Sequence, residues 1–579
     1  MSILSSFLFR FLSIFTLVSI VTRADAQNYP THFFSYPMDT PLYLSAPFGS
    51  LRENHFHSGM DIRTYEKTGL PVYAVADGYI ARIKYASGAY GKAIYINHPN
   101  GYTSVYAHLD NAHGDIATYI RKYQYEKQTF EFDHFPIKEI LEVKKGDIIA
   151  WSGNTGTSSG PHLHFEIRDT KTEHIINPQL FGILGMDSLP PAIKEVGIYS
   201  LDYNQPMLIH NIIVKESRHK LTDSGLVLLD TLICNANLIG FALEGGDFLI
   251  DNKKEYSIYG SALSIDSRPY FVFKLDRFPF NRTRCINVDV DYERYRNKGS
   301  WMQKLFIDDG NNIRLYPFVK NKGKYVLKDT ATHIAQLSVF DFNGKLMHVY
   351  VPFKKGMGNP SKYANLGKNV TTIYPQSKGQ YKTNDFSIEF PSNSLYDTLL
   401  LNYTVINTEK QALSPMHVLG ENLVPLQSSF NISILVDENA VKGINIDKLL
   451  IATKNKNGNI RYIGGSYHNG WVSASSNFFQ DFFVWHDTIS PVIKLVNTKS
   501  NSLTDTLSIK LQITDNLSGI MEYKGYINGK WELFEYDAKN ALLTYNFIAD
   551  SPKGKLEIEI IVVDRKNNKT ILKTELTRI

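Results

Sequence analysis

The sequence contains only two cysteines in 579 residues, Cys234 and Cys285. So sparse a pair excludes a disulfide framework as the basis of the fold, and it does not support a cysteine-based zinc site. Export from the cytoplasm would permit a disulfide between the two, and a pair of buried thiols is the equally open alternative. Neither cysteine lies near the histidine motifs described below.

The chain also lacks a strong charge of either sign. Its 62 Lys and Arg residues and 57 Asp and Glu residues leave a formal charge of +5. No segment concentrates Lys and Arg in the way that nucleic-acid-binding surfaces do, so no nucleic-acid partner is expected. The small positive charge permits contact with an anionic wall or membrane surface without indicating one.

No apolar run is long enough to span a bilayer. Near the start, an apolar run over residues 11–21 precedes Ala24-Asp25-Ala26, a small-x-small cleavage pattern. The run has about half the length of a membrane span, so it predicts a signal peptide over residues 1–26. No cysteine follows the run, so a lipoprotein anchor is not indicated. We therefore expect an exported chain, periplasmic, cell-surface or secreted, with no transmembrane span after processing.

Aromatic residues are abundant, with 35 Tyr and 33 Phe, and they favour strands. From residue 42 to 181, short alternating apolar runs are separated by Gly, Asn and Pro, and the segment Pro99-Asn100-Gly101 predicts a hairpin turn. Residues 116–128 instead carry apolar residues at helical spacing. The sequence thus predicts a mainly β protein: a small antiparallel β domain with a helical insertion over 111–142, followed by β-sandwich modules.

An imperfect internal repeat divides the remainder of the chain. Residues 187–194 resemble residues 487–494, and residues 339–345 resemble residues 563–569. Each pair brackets β-rich sequence. We interpret residues 187–194 and 487–494 as linkers with a proline that each open a module, and residues 339–345 and 563–569 as turns before the last strand of the same module. We predict domains at 27–186, 187–355, 356–486 and 487–579. The last has the length and strand rhythm of an immunoglobulin-like sandwich.

Three stretches of the first domain concentrate the residues that can carry chemistry. They are Asn-His-Phe-His-Ser-Gly-Met-Asp at 54–61, Tyr-Ala-His-Leu at 106–109 and Ser-Gly-Pro-His-Leu-His-Phe-Glu at 159–166. The third alternates as a strand does, which turns His162 and His164 to one face. Alone, this pair is weak evidence, since 17 histidines give about half a His-x-His by chance. His55 and His57 form another such pair.

The combination of the three stretches indicates a hydrolytic zinc site. Such a site takes three nitrogen or oxygen ligands, leaves one position open, and produces a nucleophilic water near neutral pH. His57, Asp61 and one residue of the His162/His164 pair can supply the ligands, although His55 can also reach a nearby metal. Proton transfer and oxyanion stabilisation remain for the other histidine of that pair and for His108.

These motifs resemble the lysostaphin/LytM-like family of zinc endopeptidases, which cleave peptide bonds in bacterial peptidoglycan. The resemblance covers about residues 42–180, including Val-Lys-Lys-Gly-Asp at 143–147 and Ile-Asn-Pro at 176–178. It implies one zinc ion held by His57, Asp61 and His164, catalysis by His108 and His162, and peptidoglycan as the partner. The scissile bond stays open, because groove shape rather than the ligand set decides it.

The chain departs from the family pattern at the insertion over 111–142. We interpret it as a surface elaboration with its own small apolar contact, or as a wall or lid of the groove. Its residues His113, Asp115 and His134 are expected to be solvated loop residues. Two other functions remain as alternatives to the enzyme. One is a non-catalytic cell-wall regulator. The other is a surface scaffold or adhesion protein whose β modules contact the cell wall or surface proteins.

Overall fold

A computed structural model describes residues 29–138, 140–203, 206–214, 219–222, 225–228, 230–249, 255–358, 370–407, 411–420, 423–455, 457–497, 502–504, 507–548 and 551–579. The predicted signal peptide lies outside these residues. The chain is mainly β with many antiparallel sheets, as the sequence predicts. No helix in the described part of the chain is long and apolar enough to cross a membrane.

Within the predicted N-terminal domain, the described residues of 29–186 contain one α-helix, Gly114–Lys127, and one 3-10 helix, Pro178–Phe181. The helix confirms the predicted helical segment of the insertion. The described strands of this domain are Leu44–Ala46, Leu51–Arg52, His55–Phe56, Met60–Arg63, Pro71–Tyr73, Gly78–Tyr85, Lys92–Asn97, Tyr102–Leu109, Asn111–Ala112, Phe132–His134, Glu142–Val143, Ile148–Trp151, His162–Asp169 and His174–Ile176.

One antiparallel sheet forms the centre of the N-terminal domain. Its strand order is Leu44–Ala46, Met60–Arg63, His162–Asp169, Tyr102–Leu109, Lys92–Asn97, Gly78–Tyr85 and Phe132–His134. The predicted hairpin is present, because Asn97 pairs with Thr103 across the turn. Fully buried side chains such as Ile80, Ile94 and Leu163 fill one hydrophobic core under this sheet.

The rest of the chain is described by the three predicted tail modules, 187–355, 356–486 and 487–579. The strands described in the first are Ala192–Ser200, Met207–Ile213, His219–Thr222, Gly225–Leu228, Leu232–Cys234, Leu238–Gly246, Gly260–Ile265, Arg268–Lys274, Arg277–Pro279, Gln303–Lys304, Phe318–Val319, Tyr325–Val326, His333–Phe340 and Leu346–Lys355. Its helices are Phe280–Cys285, Ile286–Asp289, Tyr292–Lys298 and Asn321–Gly323.

In the described residues of the second and third tail modules, nearly all regular elements are strands. The second has Val370–Ile373, Gly379–Lys382, Phe386–Phe390, Leu399–Asn402, Thr404–Ile406, Met416–Val418, Phe430–Leu435, Leu449–Lys454, Ile460–Gly464, Ser466–His468, Trp471–Ser476 and Phe483–His486, with the 3-10 helix Ile446–Lys448. The third has Val492–Leu495, Ser502–Thr504, Ser508–Thr514, Ile520–Ile527, Lys530–Glu532, Glu535–Asp537, Leu542–Asn546, Gly554–Asp564 and Lys569–Arg578.

The internal repeat corresponds to a repeated structural feature. Carboxylates of Asp187 and Asp341 lie together in the first tail module, and those of Asp487 and Asp564 lie together in the third. In each case the later aspartate accepts a hydrogen bond at 2.8 Å from the backbone N–H four residues on, at Lys345 and at Asn568. The repeated turn thus meets the linker that opens its own module.

The first tail module also extends the sheet of the N-terminal domain. Strand Arg277–Pro279 pairs with His174–Ile176, and Phe278 packs against Phe48 and Phe56 with ring centroids 5.1 and 5.7 Å apart. Cys234 and Cys285 are both buried free thiols. The sequence left a disulfide and two buried thiols as alternatives for this pair, and the structure has two buried thiols.

Candidate metal centre and active site

Three neighbouring strands bring the predicted site residues together. Strand His162–Asp169 lies between Met60–Arg63 and Tyr102–Leu109, and its residue His164 pairs with Asp61 on one side and with Ala107 on the other. His162 and His164 are two residues apart on this strand, so both side chains face the same side of the sheet, as the alternation predicts. His108 is the second-to-last residue of the third strand, beside them.

Gly59 explains how the strands approach so closely. A Cβ atom at this position would lie 2.3 Å from the backbone oxygen of Phe165 and 3.0 Å from Cε1 of His164. Only a glycine between His57 and Asp61 leaves room for the strand that carries His164. The spacing His-x-x-x-Asp therefore includes a residue whose lack of a side chain is itself part of the site.

The side chains of His57, Asp61 and His164 converge on one point. Asp61 Oδ1 lies 2.9 Å from Nε2 of His57 and 2.9 Å from Nδ1 of His164, and the two imidazole nitrogens are 3.1 Å apart. All three residues are buried. In the described part of the chain these three form a candidate metal-binding group.

Hydrogen bonds to the far side of each imidazole determine which nitrogen faces the cluster. His57 Nδ1 lies 3.0 Å from the backbone oxygen of Pro47, and His164 Nε2 lies 2.9 Å from Oε1 of Glu166. Since each of these oxygens can only accept, each far nitrogen carries the proton. The opposite nitrogens, His57 Nε2 and His164 Nδ1, then face Asp61 and are the two nitrogens that can bind a metal ion, as in metal-ligating histidines.

Glu166 is the centre of a buried network that supports His164. Its carboxylate has no exposed surface, and it accepts hydrogen bonds from Tyr90 and, at 2.6 Å, from Nε of Arg168. The Tyr90 ring also stacks on His164, with ring centroids 5.2 Å apart. Although burial alone would raise the pKa of Glu166, the Arg168 guanidinium outweighs it and holds that pKa below its usual range. Glu166 is therefore a carboxylate.

The protonation preferences of the cluster match a cation site. Burial would raise the pKa of Asp61, but His57 and the other facing histidines hold it well below its usual value. Burial lowers the pKa of His57, so this imidazole is neutral. For His164, burial also acts to lower the pKa, but hydrogen bonds to Asp61 and Glu166 raise it to about 9. The carboxylates of Asp61 and Glu166 lie on either side of the His164 imidazole, and their negative charges attract a cation.

A second pair of histidines, His108 and His162, borders the cluster. His108 Nδ1 lies 2.8 Å from the backbone oxygen of Thr155, and His162 Nδ1 lies 2.8 Å from that of Gly160. Both far nitrogens thus carry protons, and each Nε2 is left as the acceptor. The two rings are 4.8 Å apart, and His162 Nε2 lies 3.5 Å from Asp61 Oδ1.

His108 reaches this place through an unusual backbone conformation. Its φ angle is 59°, and the pairing of its strand shifts register between Lys92 and Ile94. A left-handed conformation at a residue other than glycine costs about 1–3 kcal/mol and concentrates at functional sites. Burial and the adjacent His164 and His162 lower the pKa of His108 to about 3, which keeps this imidazole neutral.

Other histidines of the domain are separate from the cluster. His55 is exposed and its Nδ1 lies 2.9 Å from the backbone oxygen of Glu53. The prediction that His113, Asp115 and His134 are loop residues was wrong for two of them, since Asp115 lies in the helix and His134 on a strand. His134 contacts the Tyr119 hydroxyl at 2.8 Å, so the insertion has its own packed interior.

Sequence reasoning missed two charged neighbours of the cluster. Glu166 could have been found, because the alternation that pairs His162 with His164 continues to Glu166 and Arg168 on the same face. Arg52 donates to Oδ2 of Asp61 at 2.8 Å and leaves Oδ1 to the cluster. No local spacing indicates Arg52, since a separate short hairpin, Leu51–Arg52 with His55–Phe56, brings it there.

The donor set fits a zinc ion. Two neutral imidazole nitrogens and one carboxylate oxygen are typical zinc ligands, and their separations of 2.9–3.1 Å are close to the edge of about 3.3 Å that zinc–ligand bonds near 2.05 Å require. Three lone pairs facing each other repel unless a proton or a cation lies among them. The carboxylate–histidine pair formed by Glu166 and His164 is a common support of zinc ligands.

Comparison with known families and proteins agrees with this geometry. Residues 55–178 match peptidase family M23, and residues 370–487 match the Zu5-like domain. An uncharacterised metalloprotease of Haemophilus influenzae is 32% identical over 140 residues, which are 23% of this chain and 24% of that protein. The DD-carboxypeptidase/endopeptidase Mpg of Neisseria meningitidis is 34% identical over 133 residues, 22% of this chain and 24% of Mpg.

The chain spans about a quarter of the length of these two relatives. A third relative, lipoprotein NlpD of Yersinia enterocolitica, is 36% identical over 100 residues, which are 17% of this chain and 78% of that protein. Of the two family matches, the peptidase match at 55–178 contains the histidine cluster. Through residues 55–178, about a quarter of its length, the chain belongs to the lysostaphin/LytM-like peptidase family M23.

Proposed function

We propose that the protein is an exported zinc-dependent endopeptidase that hydrolyses peptide cross-links of bacterial peptidoglycan. The observation that carries the proposal is the convergence of His57 Nε2, Asp61 Oδ1 and His164 Nδ1, with both histidine tautomers fixed from behind by Pro47 and Glu166. These three residues hold one zinc ion. When bound, zinc supplies an activated water as nucleophile and polarises the scissile carbonyl.

The chain's own residues supply the proton transfers. His108 and His162 both carry Nδ1 protons held by backbone oxygens, so each presents an unprotonated Nε2 on the cluster side. A neutral imidazole of this kind accepts the proton of the attacking water. As an imidazolium it then donates to the oxyanion or the leaving amine. The buried position of His108 keeps it neutral before the reaction.

Peptidoglycan as substrate is supported by the relatives' names. Mpg is named a DD-carboxypeptidase/endopeptidase, and ShyA of Vibrio cholerae, 28% identical over 141 residues, is named a peptidoglycan DD-endopeptidase. Digestion of purified peptidoglycan, followed by mass spectrometry of the fragments with and without a chelator, tests activity, metal dependence and bond identity together. Unchanged fragments in both arms would refute the proposed substrate.

The division of roles among the histidines is tested by single alanine variants. His57→Ala, Asp61→Ala and His164→Ala are expected to lose zinc and hydrolysis together, because each removes a ligand. His108→Ala and His162→Ala are expected to keep zinc and to lose about a hundredfold or more in rate. Metal analysis beside turnover measures both properties on one sample.

His55→Ala is the matched control, because His55 belongs to the other His-x-His pair and lies exposed outside the cluster. It should change neither zinc content nor rate. Zinc lost from His162→Ala and kept in His164→Ala would reverse the assignment of that pair. Full activity in both variants would contradict the peptidase function.

We also propose the domain division at residues 186, 355 and 486, with the third tail module as an immunoglobulin-like sandwich. Support comes from separate hydrophobic clusters, which largely follow these segments. In the third module, two sheets share one core, to which Ile509 and Leu543 contribute from one sheet and Ile558 and Leu576 from the other. Limited proteolysis should cut first near the proposed boundaries, and cuts inside a module would contradict them.

A further inference from the structure

The third tail module docks on the N-terminal domain through the insertion. Tyr125, on the inserted helix, donates to Oε2 of Glu532 at 2.8 Å, and its ring meets the edge of Trp531 with centroids 5.3 Å apart. Beside them, the buried Lys92 forms an ion pair with Glu535 at 2.8 Å. Polar, ionic and aromatic contacts therefore connect the same two surfaces.

This docking places Lys539 on a loop of the active site. Lys539 lies in the turn between strands Glu535–Asp537 and Leu542–Asn546. Its ammonium group donates to the backbone oxygen of Asn154 and, at 3.2 Å, to that of Ser158. Both acceptors belong to the segment 152–161, which leads from strand Ile148–Trp151 into strand His162–Asp169; this segment is called the histidine-holding loop below.

The histidine-holding loop orients both candidate catalytic histidines. Its Thr155 backbone oxygen accepts a hydrogen bond from Nδ1 of His108. Its Gly160 backbone oxygen accepts one from Nδ1 of His162. Ser158 Oγ, also in the loop, lies 3.2 Å from His162 Nδ1. Because these oxygens fix the ring orientation of both histidines, a shift of the loop moves both Nε2 atoms.

The histidine-holding loop is rich in glycine. Three of its residues are Gly153, Gly156 and Gly160, and glycines lose more conformational freedom on ordering than other residues. Lys539 joins Asn154 to Ser158 and so spans the part of the loop that contains Thr155. This cation, from a module almost four hundred residues away, adds to the hydrogen bonds that Thr155 and Thr157 of the loop make with the N-terminal domain.

The contact supports the site without occupying it. In the described residues, the side-chain hydrogen bonds of His57, Asp61, His108, His162 and His164 all go to partners in the N-terminal domain. Lys539 contacts backbone oxygens of the loop. A plug that blocked the site would instead be expected to bond to the ligands or to the free Nε2 atoms.

We propose that the third tail module completes the active site in cis, with Lys539 as a positioning residue that holds the histidine-holding loop. The proposal rests on the proposed peptidase function. It assigns the insertion a role as the docking platform for this module. The tail then acts on the rate of hydrolysis, in addition to any contact with the wall.

The test uses the full-length zinc-loaded protein and a soluble cross-linked peptidoglycan fragment. Lys539→Ala should keep one zinc per chain and lower kcat about tenfold or more, the scale expected when catalytic groups are displaced, with KM nearly unchanged. Lys539→Arg, which can still donate to two carbonyls, should recover most of kcat. Trp531→Ala should reproduce the loss by weakening the docking. Lys555→Ala, on the same module and paired with Glu575, is the matched control.

Hydrogen–deuterium exchange over residues 152–161 gives a readout that does not need activity. Lys539→Ala should accelerate exchange there, and Lys555→Ala should not. An unchanged kcat with unchanged exchange would overturn the proposal, and so would a higher kcat, since the contact would then be inhibitory. If the wild-type protein hydrolyses nothing while exchange still depends on Lys539, the peptidase function fails and the loop contact stands.

Discussion

Replacing Glu166 by glutamine should weaken zinc binding although Glu166 is not itself a ligand. Its Oε1 lies 2.9 Å from Nε2 of His164 and so fixes the tautomer that turns Nδ1 toward the metal. Glutamine has nearly the same shape but no charge, and its amide can present a donor where the carboxylate accepted. Loss of such a supporting carboxylate typically lowers metal affinity 10- to 100-fold.

The expected change corresponds to about 1.4–2.8 kcal/mol of zinc binding free energy. A second effect must be separated from it. Glu166 also pairs with Arg168, whose side chain is 5% exposed, and removing one partner of a buried pair costs about 3–5 kcal/mol of folding stability. The double variant Glu166→Gln/Arg168→Met removes both partners and should recover part of that stability while keeping the zinc defect.

Competition for zinc against a chelator of known affinity measures the first effect, and thermal unfolding of the metal-free protein measures the second. Glu173→Gln is the control, because Glu173 contacts Arg168 at 3.2 Å from an exposed position. Both Glu166 variants should release zinc at lower chelator concentration than the control. Wild-type affinity in a folded Glu166→Gln protein would refute the assignment of Glu166 as the support of His164.

Three further outcomes are expected. Burial and the neighbouring Asp187 raise the pKa of Asp247 to about 7. The folded state therefore keeps a proton on Asp247 that the unfolded state releases near pH 4. Folding stability consequently falls as the pH rises from about 4 to about 7. Asp247→Asn should therefore raise the melting temperature by a few degrees at pH 8 and not at pH 4. Gly59→Ala should lose zinc and secondary structure by circular dichroism, since its Cβ would overlap Phe165. Alkylation after denaturation without reductant should modify both Cys234 and Cys285; a disulfide would block it.

Local patterns were sufficient for the framework of the site. The turn predicted at Pro99-Asn100-Gly101 joins the strands Lys92–Asn97 and Tyr102–Leu109, and the alternation around His162 and His164 places both rings on one face. These features depend on the two-residue period of a strand and on turn chemistry, which neighbouring residues determine. The resemblance to a peptidase family, rather than periodicity, distinguished His57 from His55, and the geometry agrees with that choice.

Contacts between distant segments could not be predicted in this way. Strand Arg277–Pro279 joins the sheet of the N-terminal domain although about a hundred residues separate it from its partner His174–Ile176. Its sequence carries no mark of that partner, since any short apolar strand can extend an open sheet edge. The insertion was interpreted as a surface elaboration or a groove wall. The structure adds a contact that neither interpretation predicts, because the inserted helix also contacts a segment near the far end of the chain.

Two independent routes connect the third tail module to the same threonine of the histidine-holding loop. Lys539 bridges the oxygens on either side of Thr155. Lys92, whose ammonium group pairs with Glu535, donates its backbone N–H to Thr155 Oγ1 at 3.0 Å. Thr155 in turn holds His108, the residue with the costly left-handed backbone. A strained residue persists only where its surroundings overdetermine it, and here the surroundings include residues from both ends of the chain. The third tail module and the candidate catalytic residue His108 are therefore connected through one hydrogen-bonded network.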